Sequence, residues 1–122
     1  MASELRVNTL KDASGNNSIA TSVVFGGVAK CWGDFDQDTP SVKDSFNSTT
    51  VTDGGTGIIT INFTNNMSAG TYAPHCNGIN GDHLIASAGN VVSASCKFGH
   101  YTQGNAVVDT PYGSYSMLGD LA

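Results

Sequence analysis

Between Ser45 and Phe63 the chain spells out a β-hairpin in residue types. Two runs, Ser45–Thr52 and Ile58–Phe63, flank Asp53-Gly54-Gly55-Thr56-Gly57. Both runs are rich in β-branched residues, whose stiff χ1 suits a pleated surface better than a helix. Ile59, Ile61 and Phe63 fall on one face at period two, with Thr60 and Asn62 on the other. The Asp-Gly pair and the further glycines supply the positive φ that a tight or bulged turn needs. A sheet is therefore expected here, and the rest of the chain has to be compatible with it.

The remaining segments read the same way. Leu5 and Val7 alternate with polar neighbours in a short strand-like opening, and Lys11–Asn17 reads as a turn. Val23-Val24-Phe25 is a short apolar patch closed by Gly26-Gly27. Val28–Phe35, Thr71–Cys76, Leu84–Ala88, Val91–Tyr101, Ala106–Val108 and Tyr112–Leu118 are further short strand candidates. Pro74 cannot donate to a ladder, which assigns its strand to a sheet edge or a strand end. Asn77–Asp82 reads as a Gly- and Asn-rich loop, and no amphipathic helix longer than a turn is visible. Short strands with frequent turn signals predict an all-β fold. The expected architecture is an antiparallel, jelly-roll-like β-sandwich of seven to eight short strands with an extended N-terminal arm. Residues 1–27 would form the arm or adaptor and residues 28–122 the sandwich.

Composition narrows the function classes. Charged residues are only 12% of the 122 residues, about half the usual share. Apolar residues are 39% and the net charge is −5, so this is not a disordered composition. Arg6, Lys11, Lys30, Lys43 and Lys97 are scattered, whereas nucleic-acid binding needs clustered basic residues. No apolar run approaches membrane-spanning length, and the first residues lack the pattern of a secretory signal. The three cysteines, Cys31, Cys76 and Cys96, make an odd count that favours free thiols, with a Cys76–Cys96 bridge as the minor alternative. The four Asn-x-Ser/Thr sequons carry little weight in a chain so rich in these residues.

Candidate sites are few. Asp34, Asp36 and Asp38 alternate, so an extended segment would turn all three carboxylates to one side. A complete Ca²⁺ loop also needs a Gly at its sixth position and a Glu at its twelfth, where Thr39 and Ser45 stand. A solvated acidic loop is the preferred reading, with these three as weak metal candidates. His75, Cys76, His83, Cys96 and His100 lack the usual zinc spacings, Cys96-x3-His100 being the nearest. No phosphate loop, nucleophile elbow or glycosidase carboxylate pair is visible. Neither a catalytic site nor a cofactor is expected. Trp32 and Phe35 read as core or inter-subunit packing, and with Leu5 and Val7 they form the candidate assembly surface. Tyr112 and Tyr115 are candidate glycan contacts, because tyrosines in the exposed-looking Tyr112–Tyr115 stretch could stack on sugar rings.

Val28–Trp32, Phe35, Ser41–Asn47, Val51-Thr52-Asp53, Gly55-Thr56-Gly57, Thr60–Thr64 and Tyr72-Ala73 together resemble a β module of marine bacteriophage structural proteins. These are tail-fibre-like virion proteins of phages that infect cyanobacteria and pelagic bacteria. Leu5–Asn16 looks like the leader that precedes the module, and Tyr115–Asp120 is similar to its last strand. The Asp34–Asp38 acidic run departs from the pattern, and Pro74–Tyr101 matches it loosely. The resemblance implies a non-enzymatic protein on the virion exterior, made in the host cytoplasm, with no catalytic residue carried over. It also implies a homotrimer that contacts capsid or tail proteins. A chain of this length has no room for a fibre shaft. The expectation is therefore a capsid decoration protein, head appendage or small fibre-associated protein. A tail-fibre or carbohydrate-binding module that meets a host surface glycan is the alternative.

Overall fold

Alternation decides which side of each strand faces inward. Along Cys31–Asp36 the odd-numbered Cys31, Gly33 and Phe35 are buried, while Trp32 and Asp34 face solvent. Ile59, Ile61 and Phe63 turn inward from Ile58–Phe63, as the period-two pattern predicts. Gly113, Tyr115 and Met117 do the same from Tyr112–Leu118. These sets meet in one core completed by Val51, Met67, Tyr72, Cys96 and Phe98. Each large apolar side chain buried there stabilises the fold by about 1.5–3 kcal/mol.

The computed structural model describes residue 3, residues 5–79 and residues 84–122. Its elements are β1 (Thr9–Lys11), β2 (Ser18–Ala20), α1 (Thr21–Gly27), β3 (Cys31–Asp36), β4 (Ser41–Phe46), β5 (Ser48–Asp53), β6 (Ile58–Phe63), β7 (Ala73–Ile79), β8 (Leu84–Val92), β9 (Ser95–Thr102) and β10 (Tyr112–Leu118). Eight strands make the expected antiparallel sandwich. One sheet has the order β4-β3-β10-β7 and the other β5-β6-β9-β8. The first and last sandwich strands, β3 and β10, are neighbours, as in a jelly roll. The within-sheet hairpins β3–β4, β5–β6 and β8–β9 are the departures from that order. Pro74 lies on β7, an edge strand, where its missing N–H costs no ladder bond.

The hairpin turn is built as its residues require. The Asp53 carboxylate accepts from the Gly55 N–H at 2.8 Å, and Gly55 and Gly57 adopt φ of 98° and 69°. A side chain at Gly57 would also run into the His100 carbonyl, 2.8 Å from where its Cβ would stand. The first arm of the hairpin is shorter than expected. The run Ser45–Thr52 breaks at Asn47, which takes φ 57° and sends the chain from β4 in one sheet to β5 in the other. Asn tolerates this left-handed conformation. Its side chain braces the corner by donating to the Lys30 and Asn65 carbonyls and accepting from the Asn65 N–H.

Other segments also differ from expectation. Asn77, Gly78 and Ile79, read as the start of a loop, continue β7 and pair with β10. Val91–Tyr101 is two strands, with Ser93-Ala94 turning β8 into β9. Ala106–Val108 contributes only a single bridge, Tyr101 to Val107. Thr21–Gly27 is a helix of nearly two turns, although its Val-Val-Phe favours strands. It has no side-chain cap and no buried residue.

The N-terminal segment lies outside the core. β1 pairs only with β2, in register Thr9 to Ala20 and Lys11 to Ser18. The connecting turn closes on Asp12, whose carboxylate accepts from Asn17 Nδ2 and Ser14 Oγ. Those bonds, Asn17 first, hold the Asp12 carboxyl below its usual range. Every residue of β1 and β2 is exposed.

Candidate functional site

Residues directly opposite one another on antiparallel strands share a face. On the outer face of the β4-β3-β10-β7 sheet this rule produces two rows. Phe46, Trp32, Ser116 and His75 make one, and Asp44, Asp34, Ser114 and Asn77 make the other. The rows are two residues apart along the strands, about 7 Å, and neighbours within a row are about 4.8 Å apart. Trp32 is 42% exposed and Phe46 51%, so both rings present area to solvent. Asn77 Oδ1 accepts from the Ser114 N–H and hydroxyl at 3.1 and 2.7 Å, and its amide nitrogen has no hydrogen-bond partner among the described residues. A depression of about 320 Å³ opens between β7 and β10 beside His75, Asn77, Ser114 and Ser116.

Lys43 closes one end of this face. A bulge at Asp34/Phe35 leaves Lys43 without a cross-strand partner on β3. Its ammonium reaches over the sheet to Asp36 at 3.7 Å, the Pro111 carbonyl at 3.3 Å and the Tyr112 ring at 4.0 Å. The cation over the ring fixes Tyr112 as a wall of the face.

A second group is buried between the sheets. Thr110 is fully buried, and its hydroxyl accepts from the Ile79 N–H at 2.9 Å. Its own proton is shared between the Ile79 carbonyl at 3.0 Å and the Tyr112 carbonyl at 2.8 Å. Gln37 pairs with Thr110 through its backbone N–H and its side-chain oxygen. His100, also fully buried, holds Nε2 3.5 Å from Cys76 Sγ and packs its ring on Phe35. Gln37 Nε2 and His100 Nδ1 have no hydrogen-bond partner among the described residues.

A thiol beside an imidazole has the layout of a nucleophile and its base, but the electrostatics oppose that use. Burial, and then Cys96 nearby, push the Cys76 thiol up to about 12, while burial pushes the His100 imidazole down. Both groups are driven neutral, whereas an activated cysteine needs a stabilised thiolate. Cys31, Cys76 and Cys96 are all free thiols.

The residues singled out in the sequence are scattered across the molecule. Trp32 faces solvent on the outer sheet, and Leu5 and Val7 are exposed in the N-terminal segment. Phe35 is a correction. It is a core residue with no exposed surface, because strand parity turns it inward with Cys31, so it cannot serve as an assembly surface. Tyr115 is a second correction. At 4% exposure it lies in the core and donates to Ser48 Oγ at 2.7 Å across the two sheets, out of reach of a glycan. Tyr112 remains exposed. Asp34 and Asp36 share a face, but Asp36 is engaged by the Thr39 N–H and Lys43, and Asp38 sits in the following turn.

Among the described residues no three His, Cys, Asp or Glu gather where they could hold a metal. Of the zinc candidates Cys76 meets His100 and has Cys96 nearby, and His83 lies outside the described residues. No helix among the described residues is long and apolar enough to cross a membrane. Phe46, Asp44, Asn77 and Ser114 went unnoticed in the sequence, because only the register across four strands brings them beside Trp32 and Asp34. Comparison with protein families, curated proteins and solved structures finds no match.

Proposed function

We propose that this chain is a non-enzymatic structural protein of the exterior of a phage particle. In this reading it is a capsid decoration protein, head appendage or small fibre-associated protein, joined to its neighbours through its N-terminal segment. One observation carries the proposal. The sandwich closes its own core, yet Leu5, Val7, Leu10, Ile19, Val23, Phe25 and Val28 all stay exposed in the segment that precedes it. Apolar groups concentrated in this way mark a surface meant for another chain. The family likeness of Val28–Ala73 supplies the virion context, and the neutral Cys76–His100 pair offers no competing chemistry. The segment's exposed groups suit a homotrimer or a capsid or tail protein as the partner.

Light scattering on the purified protein tests the assembly. The expected mass is about three times the 12.6 kDa chain, and a Val23→Ser/Phe25→Ser variant should fall to one chain with its fold intact. Particles that lack the protein should take it up when it is added back. A monodisperse monomer that fails to bind such particles refutes the proposal.

A further inference from the structure

The outer face of the β4-β3-β10-β7 sheet is a different surface from the N-terminal segment and has a different chemistry. We infer that it is a binding site for a neutral glycan. Trp32 and Phe46 provide the stacking surface, and Asp34, Asp44, Asn77 and Ser114 the hydrogen-bonding groups.

A pyranose ring has an apolar C–H face and a rim of hydroxyl groups that donate as readily as they accept. The two rows match those halves. The exposed Trp32 and Phe46 are direct cross-strand partners, so two aromatic side chains stand on neighbouring strands of the same face. One row along, Asp34 and Asp44 are also direct partners. Like charges directly opposite one another destabilise a strand pair. Lys43, which precedes Asp44 on β4, is occupied by Asp36 and the Tyr112 ring. The Asp44 carboxylate accepts from the Ser45 N–H, and the Asp34 carboxylate accepts no hydrogen bond among the described residues. The two carboxylates therefore offer acceptor oxygens that hydroxyl donors would satisfy. Asn77 adds an amide donor beside the depression between β7 and β10, whose volume is at the lower limit of small-ligand sites, about 300 Å³.

Other occupants fit worse. Protein interfaces are depleted in Asp and Ser at their centres. The eight residues of the two rows include two of each, and an apolar protein surface would bury both carboxylates unpaired. An anionic sugar would be repelled by the same carboxylates and by a chain of net charge −5. A neutral polyol brings donors without charge.

Trp32 is the single tryptophan of the chain, so its fluorescence and indole N–H resonance report on this face alone. The test is a titration of the full chain with neutral oligosaccharides of glucose, mannose and galactose, and with a sialylated oligosaccharide for comparison. Binding should perturb the Trp32 signals with a Kd at or below about 1 mM. By calorimetry, Phe46→Ala and Asp34→Asn should each weaken binding at least about tenfold, and Asp34→Asn should do so without lowering the urea midpoint, because it relieves the repulsion from Asp44. Val23→Ser should leave binding unchanged, which separates this site from the assembly role. Three results would overturn the inference: no neutral sugar bound at about ten times that concentration, binding that survives both substitutions, or a preference for the sialylated ligand.

Discussion

Gly113 on β10 lies directly under the ring of Phe35 on β3, its cross-strand partner. A Cβ at that position would stand 2.1 Å from Phe35 Cζ, 2.3 Å from Cε1 and 2.7 Å from Cε2. Carbon atoms in contact prefer about 3.5–4.0 Å, so the closest approach is short by roughly 1.4 Å. The ring has no room to withdraw. It is fully buried, with ring centroids 5.8 Å from His100 and 6.1 Å from Tyr115. Overpacking of this kind costs about 1–3 kcal/mol, and an overlap this deep belongs near the upper figure. The backbone at Gly113 does not have positive φ, so Ala also gains about 0.5–1 kcal/mol of strand preference over Gly. Gly113→Ala should therefore destabilise by about 2 kcal/mol, read from urea unfolding with an unchanged m-value. The decisive comparison is with Phe35→Leu, which lacks all three clashing atoms. In that background the steric cost disappears and Gly113→Ala should become neutral or stabilising. The same destabilisation in both backgrounds would show that the ring does not set the requirement for glycine.

Other consequences are open to the same assays. Burial against Cys76 and Phe35 lowers the pKa of the His100 imidazole, outweighing the Gly57 backbone and Asp109, which raise it. Its folded pKa lies below the unfolded value of 6.5, so the unfolded chain takes the proton first. Stability should then fall as pH drops below about 6.5; a His100→Gln variant with an equal slope between pH 7.5 and 5.5 would contradict this. Thr110→Val strips the Ile79 N–H and two carbonyls of their buried partner and should cost about 1–3 kcal/mol, against less than ~0.5 kcal/mol if the hydroxyl is idle. Burial pushes Cys31 up to about 12 and Cys96 up to about 11. A disulfide reagent at pH 8 should leave both thiols unmodified in the native protein and label them in denaturant; fast native labelling would show that the core opens readily.

Period-two alternation was legible wherever a strand buries one face. Ile58–Phe63 and Tyr112–Leu118 have the boundaries their residues announce, and the turn between β5 and β6 is the Asp-Gly turn its sequence spells. What alternation lacks is any marker of which sheet a strand joins. Ser45–Thr52 looks continuous because Asn47 is an ordinary polar residue until its φ is known, and that single corner moves the chain from one layer to the other. Phe35 and Tyr115 were open to a surface reading because an aromatic residue reads alike inside and out. Only their register with Gly113 and Cys76 places them in the core. The outer face was illegible for the same reason, since its residues come from four strands spread over positions 32 to 116.

The pairing of β3 with β10 has a mechanical consequence. Cys31 lies opposite Met117, and the Lys30 N–H bonds the Met117 carbonyl at 2.8 Å. A pull between the N-terminal segment and residues 118–122 therefore enters the sandwich at one end of one antiparallel pair. Its ladder bonds would be loaded in turn, like the teeth of a zip, and would not share the force. The bonds that tie Ser68 to Asp120 and Asn66 to Ala122 would be stripped first. A protein anchored and pulled through these two ends would yield at low force. The same sandwich, gripped by its N-terminal segment alone, carries no tension at all.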